Sequence, residues 1–228
     1  LAAKLKSENG IEYDADGEII VTAGATEAVF VTVLALVDEG EEVLIRNPSW
    51  TYDPCMHAAG GTPVRYELNS QDGFQPDISS LERAVSEDAS MIVVNSPHNP
   101  TGGVLDREHV TALRDFAVDN DLVVLSDEIY EQICYTDAHR SLAALDGLRR
   151  RTITVNGFSK AYSMTGWRLG YLAAPAELID PIIRLRQYTT TCAPSISQHA
   201  GVRAVGSTLH EPMVEQFARR RELVLDRI

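Results

Sequence analysis

Short β-branched runs alternate with stretches of helical periodicity, and this alternation constrains the fold more than any other feature of the sequence. Ser90 to Asn95 is nearly continuous in apolar side chains, as in a strand buried on both faces. Asp106 to Asp119 follows with the spacing of an amphipathic helix, and Leu122 to Leu125 is a second buried strand. Ile153 to Lys160 repeats the strand pattern, and Leu169 to Ala173 is a further strand. Upstream, Glu18 to Thr22, Glu42 to Arg46 and Pro63 to Leu68 read as strands. The intervening helices begin at Gly24-Ala25-Thr26-Glu27, end at Gly60-Gly61 and span Ile78 to Val85. Ala176 to Ile228 reads as largely helical, with a break around Ala193-Pro194. Such spacing predicts an α/β fold, a mainly parallel sheet with helices on both faces.

A chain of 228 residues accommodates one large domain, or one domain and part of a second. Residues 1 to 9 read as the tail of a helix stopped at Asn9-Gly10, so a preceding segment is expected. Cys55, Cys134 and Cys192 are widely spaced and odd in number, which suggests neither a disulfide framework nor a zinc knuckle. No metal is expected, and a reducing, cytoplasmic setting fits. The net charge of −13 disfavours a nucleic-acid surface, which needs a basic face. No run approaches the roughly 18 apolar residues of a membrane span. Scarce lysine beside abundant acid and arginine fits either a GC-rich genome or a salt-adapted host.

Chemistry-bearing residues gather where strands end. Lys160 lies just beyond the apolar run Arg151 to Val155, and Arg168 follows eight residues on in a Gly-rich segment. An ammonium buried at a strand end is costly unless it is neutralised, paired or covalently used, so Lys160 is a candidate for Schiff-base chemistry and Arg168 for an anion clamp. Gly24-Ala25-Thr26 turns a strand into a helix N-terminus, an anion site in waiting. Pro97 to Gly103 forms a loop fixed by prolines and glycines at a strand's carboxyl end, and Ser126 to Tyr130 brings Asp127 and Tyr130 to the same edge. Alone, each has a commoner structural use: Lys160 as a lysine reaching into water, Asp127 as a cap, Trp50 as a core aromatic, Asn99-Pro100 as a turn.

Five segments in order change that weighting: Val21 to Ala28, Asn47-Pro48-Ser49-Trp50, Ser96 to Gly102, Ser126 to Tyr130 and Phe158 to Tyr171. Together they resemble the class I/II aminotransferases, fold-type I enzymes dependent on pyridoxal 5′-phosphate (PLP). The resemblance implies that Lys160 forms an aldimine with PLP and then carries a proton as a free amine. Asp127 would pair with the pyridine nitrogen, Asn99 and Tyr130 would hold the ring's phenolic oxygen, and Trp50 would stack on the ring. Arg168, with Gly24, Ala25 and Thr26, would take the phosphate. The implied reaction moves an amino group from an L-amino acid to a 2-oxo acid in a homodimer. A lyase of the same fold, such as a cysteine-sulfur β-lyase, would share these motifs, and the PLP-sensing domain of a transcriptional regulator is a lesser alternative.

Two positions depart from the family pattern. Gly157 stands where many members carry a phosphate-binding serine, and Asp53 stands where some place a histidine that orients the ring-facing aspartate. The resemblance also makes residues 1–228 the large, cofactor-binding domain. An N-terminal covering segment, and a small C-terminal domain bearing the arginine for the substrate carboxylate, are expected outside them.

Overall fold

The computed structural model describes residues 1–49, 52–135 and 139–228. The alternating pattern becomes strands β1 (Ile19–Thr22), β2 (Glu42–Asn47), β3 (Thr62–Asn69), β4 (Gln75–Pro76), β5 (Ala89–Asn95), β6 (Val123–Asp127), β7 (Thr152–Gly157) and β8 (Gly170–Ala173). They form one sheet in the order β1-β8-β7-β6-β5-β2-β3-β4. Its central ladders, from β3 through β2, β5 and β6 to β7, are parallel, as the buried apolar runs predict.

The edges reverse. β8 is antiparallel to both β7 and β1, and the short β4, absent from the sequence expectation, is antiparallel to β3. Between β7 and β8 the only regular element is the 3₁₀ turn Thr165–Trp167, too little to carry the chain back for a parallel crossover. Because β8 is reversed, β1 beyond it runs in the direction of β7. The carboxyl ends of β1, β2, β5, β6 and β7 therefore share one edge, and Arg168 enters it just ahead of β8.

Alternation along the strands sorts the core. Val43, Ile45, Val93, Leu125 and Val155 face helices α2 (Ala25–Leu36), α3 (Asp53–Ala59) and α6 (Ala176–Arg186), which contribute Val33, Met56 and Ile182 among others. Leu44, Ile92, Val94 and Val124 face α4 (Ile78–Ala84) and α5 (Arg107–Asp119) through Leu81, Leu113 and Phe116. Each fully buried side chain of this size contributes about 1.5–3 kcal/mol. At the N-terminus α1 (Ala2–Lys4) continues as a π-helical turn to Asn9, and Gly10 (φ 71°) stops it. Leu5 and Ile11 pack with Phe158, Leu169 and Tyr171. The C-terminal stretch forms α6, then α7 (Ser195–Ala204), which starts directly after the break expected around Ala193-Pro194, and α8 (Glu211–Leu225).

From β2 the chain passes outward to β3; from β5 it passes the other way, to β6. The strand order thus reverses between β2 and β5, and a crevice opens beyond their carboxyl ends, where open α/β sheets take ligands.

Candidate active site

Glycines bring two parts of the site into contact. Gly24 caps α2 with φ 90° and ψ 161°, a conformation essentially reserved for glycine. The Arg168 guanidinium lies against it, so that a Cβ on Gly24 would stand 2.5 Å from Nη2. At Gly170 a Cβ would meet the Ala25 nitrogen at 2.5 Å, so β8 passes hard against the start of α2. The first-turn N–H groups of α2 have no intrahelical acceptor, and Arg168 stands over them, exposed and anchored by Nη1 to the Thr165 carbonyl at 2.9 Å. Glu27, in the same turn, accepts from the Ala23 N–H and from Thr190, and pairs with Arg186 at 3.2 Å. These contacts pin the helix start and leave the Arg168 side to an anion.

Asp127 ends β6. It is half-buried and opens onto a cavity of about 300 Å³. Its Oδ2 accepts the Tyr52 hydroxyl at 2.6 Å and its Oδ1 the Ile129 N–H at 3.2 Å. Burial pushes its carboxyl above the usual aspartate range, against the pull of those two donors and of the Arg46 charge. Asn95, the last residue of β5 and opposite Asp127 in the ladder, donates Nδ2 to the Asp127 carbonyl at 2.9 Å and accepts the Asn99 N–H on Oδ1 at 3.2 Å. Asn99 in turn donates Nδ2 to the Tyr130 hydroxyl at 3.3 Å. Three separate strand ends are thereby joined.

Lys160 lies on the wall of the same cavity, with Nζ 5.6 Å from the centre of the Tyr130 ring. It is exposed, which corrects the expectation of a costly buried amine: the chain leaves the sheet at Gly157, and the side chain reaches water. Gly157 itself is packed against β8, where a Cβ would meet Gly170 Cα at 3.0 Å, while Ser159 lines the cavity beside Lys160. Asp53 turns away from Asp127 to Arg65 (2.6 Å) and Ser49 (3.2 Å). Trp50 lies outside the described residues. The remaining predicted residues, Gly24, Ala25, Thr26, Asn99, Asp127, Tyr130, Lys160 and Arg168, meet around one cavity or its rim. A wider cavity of about 630 Å³ adjoins it through Asn99, Tyr130 and Lys160 and is bounded farther out by Ile133, Phe217 and Arg221.

Sequence reading missed Tyr52, Asn95 and Arg46. Arg46 is a buried guanidinium on β2 whose Nη1 donates to the Asn95 carbonyl at 2.6 Å. It also missed a cluster behind the site. Glu128, with no exposed surface, accepts the Ser126 and Ser141 hydroxyls at 2.8 Å each and pairs with His139 at 3.0 Å. Glu131 beside it takes the Lys4 ammonium and the Asn9 amide. Glu128, Glu131 and His139 bring ligand atoms within 4.8 Å of one another, as a metal site would. The Lys4 ammonium already supplies a cation there, paired with Glu131 and, at 3.8 Å, with Glu8.

The family model for aminotransferases of class I and II matches residues 1–228. Aspartate aminotransferase of Pyrococcus abyssi is 42% identical over 100% of this chain and 60% of its own length. Aromatic-amino-acid aminotransferase 2 of Thermococcus litoralis is 38% identical with the same coverage. The crystal structure of aromatic aminotransferase from Pyrococcus horikoshii superposes with a TM-score of 0.95 at 42% identity, over 99% of this chain and 62% of that one. The chain thus spans about 60% of the length of the curated relatives it matches.

Proposed function

Because this chain belongs to the class I and II aminotransferases, we propose that it is the cofactor-binding part of an enzyme that uses PLP to move an amino group from an L-amino acid to a 2-oxo acid. One observation carries the reading: an amine, a half-buried carboxylate, an amide–hydroxyl pair and a guanidinium at a helix N-terminus converge on one cavity. That donor set matches PLP group by group, and the cradle at Gly24 is one that any Cβ would fill.

Bound PLP supplies an electron sink for the pair left at the substrate Cα when its proton is removed. The chain's own residues do the rest. Arg168 and the free N–H groups of α2 hold the phosphate, by charge-assisted bonds and by the helix dipole. Asp127, as a carboxylate, pairs with the ring nitrogen and keeps it protonated. Asn99 and Tyr130, already in contact, would donate to the ring oxygen. Lys160 would hold the cofactor, and its free amine would act as the general base for the proton of the substrate Cα. The adjoining wider cavity leaves room for the substrate.

Relatives named for aspartate and for aromatic amino acids make those the first donors to test. Full-length protein loaded with PLP is expected to show a visible absorbance band that borohydride removes, and to transfer the amino group of a matching donor to the cofactor. Lys160→Ala is expected to slow transfer by at least roughly 10³-fold. Absence of the band, or an identical borohydride-sensitive band in Lys160→Ala, overturns PLP binding through Lys160. Pyruvate release from cystathionine without amino transfer replaces the transaminase with a β-lyase.

A further inference from the structure

Tyr52 does more than fill core volume. Tyr52 is 4% exposed within the apolar cluster beneath α2, and its hydroxyl reaches from the segment after β2, past the end of β5, to Oδ2 of Asp127 at 2.6 Å. The residue is held on both sides. Its carbonyl accepts the Cys55 N–H at 2.9 Å at the start of α3, and Asp53 is tied to Arg65 and Ser49. Asp53, where some family members place an orienting histidine, makes its bonds away from the site, so the contact comes from its neighbour.

We propose that Tyr52 is the positioning residue for Asp127: its hydroxyl fixes the carboxylate's rotation, with Ile129 N–H on the other oxygen, and holds it as an anion turned toward the cavity. An O–H donor carries no charge, so the full negative charge of Asp127 stays available to a cationic ring nitrogen; an imidazolium would cancel it. Of the other charged groups near Asp127, Arg46 favours the anion and Glu128 opposes it, while Lys160 and Arg168 line the same cavity. A phenylalanine would fill the same space and supply none of this.

The pairing with a ring nitrogen rests on the PLP reading, whereas the Tyr52–Asp127 contact does not, so the two are tested separately. In the cofactor-free full-length protein, carboxyl-carbon NMR, assigned with Asp127→Asn, is expected to show Asp127 titrating roughly one to two pH units higher in Tyr52→Phe than in wild type. In the PLP-loaded protein, Tyr52→Phe is expected to bind PLP about tenfold more weakly and to shift the pH at which the visible band changes. Tyr52→His, which restores a donor, is expected to recover part of both effects. Near-ultraviolet circular dichroism confirms that each variant keeps its packing. Identical Asp127 titration in wild type and a folded Tyr52→Phe overturns the inference, whatever PLP does. If Asp127 shifts but neither protein binds PLP, the inference about the contact stands and the proposed function falls.

Discussion

Gly24 lies directly beneath the Arg168 guanidinium, where a Cβ would stand 2.5 Å from Nη2 and 3.0 Å from Cζ. The turn after β1 and the loop before β8 therefore meet, as the two halves of the proposed phosphate cradle, from segments more than a hundred residues apart. Gly24→Ala is expected to strain the backbone at φ 90° by about 1–3 kcal/mol and to push Arg168 off the helix axis. Urea denaturation should show the stability loss, and titration with PLP should show weaker binding. Undiminished PLP affinity in a folded Gly24→Ala would place the phosphate elsewhere.

The Glu128–His139 pair predicts a pH window. Burial opposes both charges, but His139 and the Ser126 and Ser141 hydroxyls lower the Glu128 carboxyl below 4.5, and Glu128 raises the His139 imidazole above 6.5. A lowered carboxylate contributes stability above its unfolded pKa and loses it as the pH falls; a raised histidine contributes below its unfolded pKa and loses it as the pH rises. The stability advantage of wild type over His139→Gln is thus expected to be greatest between pH 4.5 and 6.5. It should shrink on the acid side as Glu128 protonates, and above pH 6.5 as His139 loses its proton. Neighbouring Lys4 and Glu131 act on His139 in opposite senses, so neither reverses the trend. Denaturation curves across pH check this, and a pH-independent difference between the two proteins would refute it.

Lys4 balances the carboxylates of that cluster from the first turn of the chain, with its side chain 6% exposed. Lys4→Met leaves Glu131 buried without its cation and is expected to cost about 3–5 kcal/mol. Adding Glu131→Gln should recover part of the loss, giving a non-additive double-mutant cycle. Additive effects would mean that the two side chains act independently.

Much of this site is legible in the sequence because strand-end chemistry is local. Asp127 and Tyr130 follow an apolar run directly, and Gly24 to Thr26 follows another, so their edge of the sheet can be read without knowing their neighbours. Lys160 was legible as a residue but not in its surroundings: an amine past an apolar run looks buried, whereas the chain turns out of the sheet before reaching it. Tyr52 and Asn95 were not legible at all. Asn95 reads only as the end of a strand, and Tyr52 meets a partner 75 positions away past the end of β5.

By itself the sequence determined that strands and helices alternate, that both sheet faces are buried, and which reactive side chains stand at strand ends; these follow from periodicity and from chemistry within a few residues. Only the tertiary structure decided that β2 lies beside β5, that β8 turns back, and hence that Tyr52 reaches Asp127 and Arg168 reaches Gly24. Any β-branched run can pair with any other through the same backbone hydrogen bonds. The choice among partners is made by packing of the whole sheet against its helices, which no local stretch encodes.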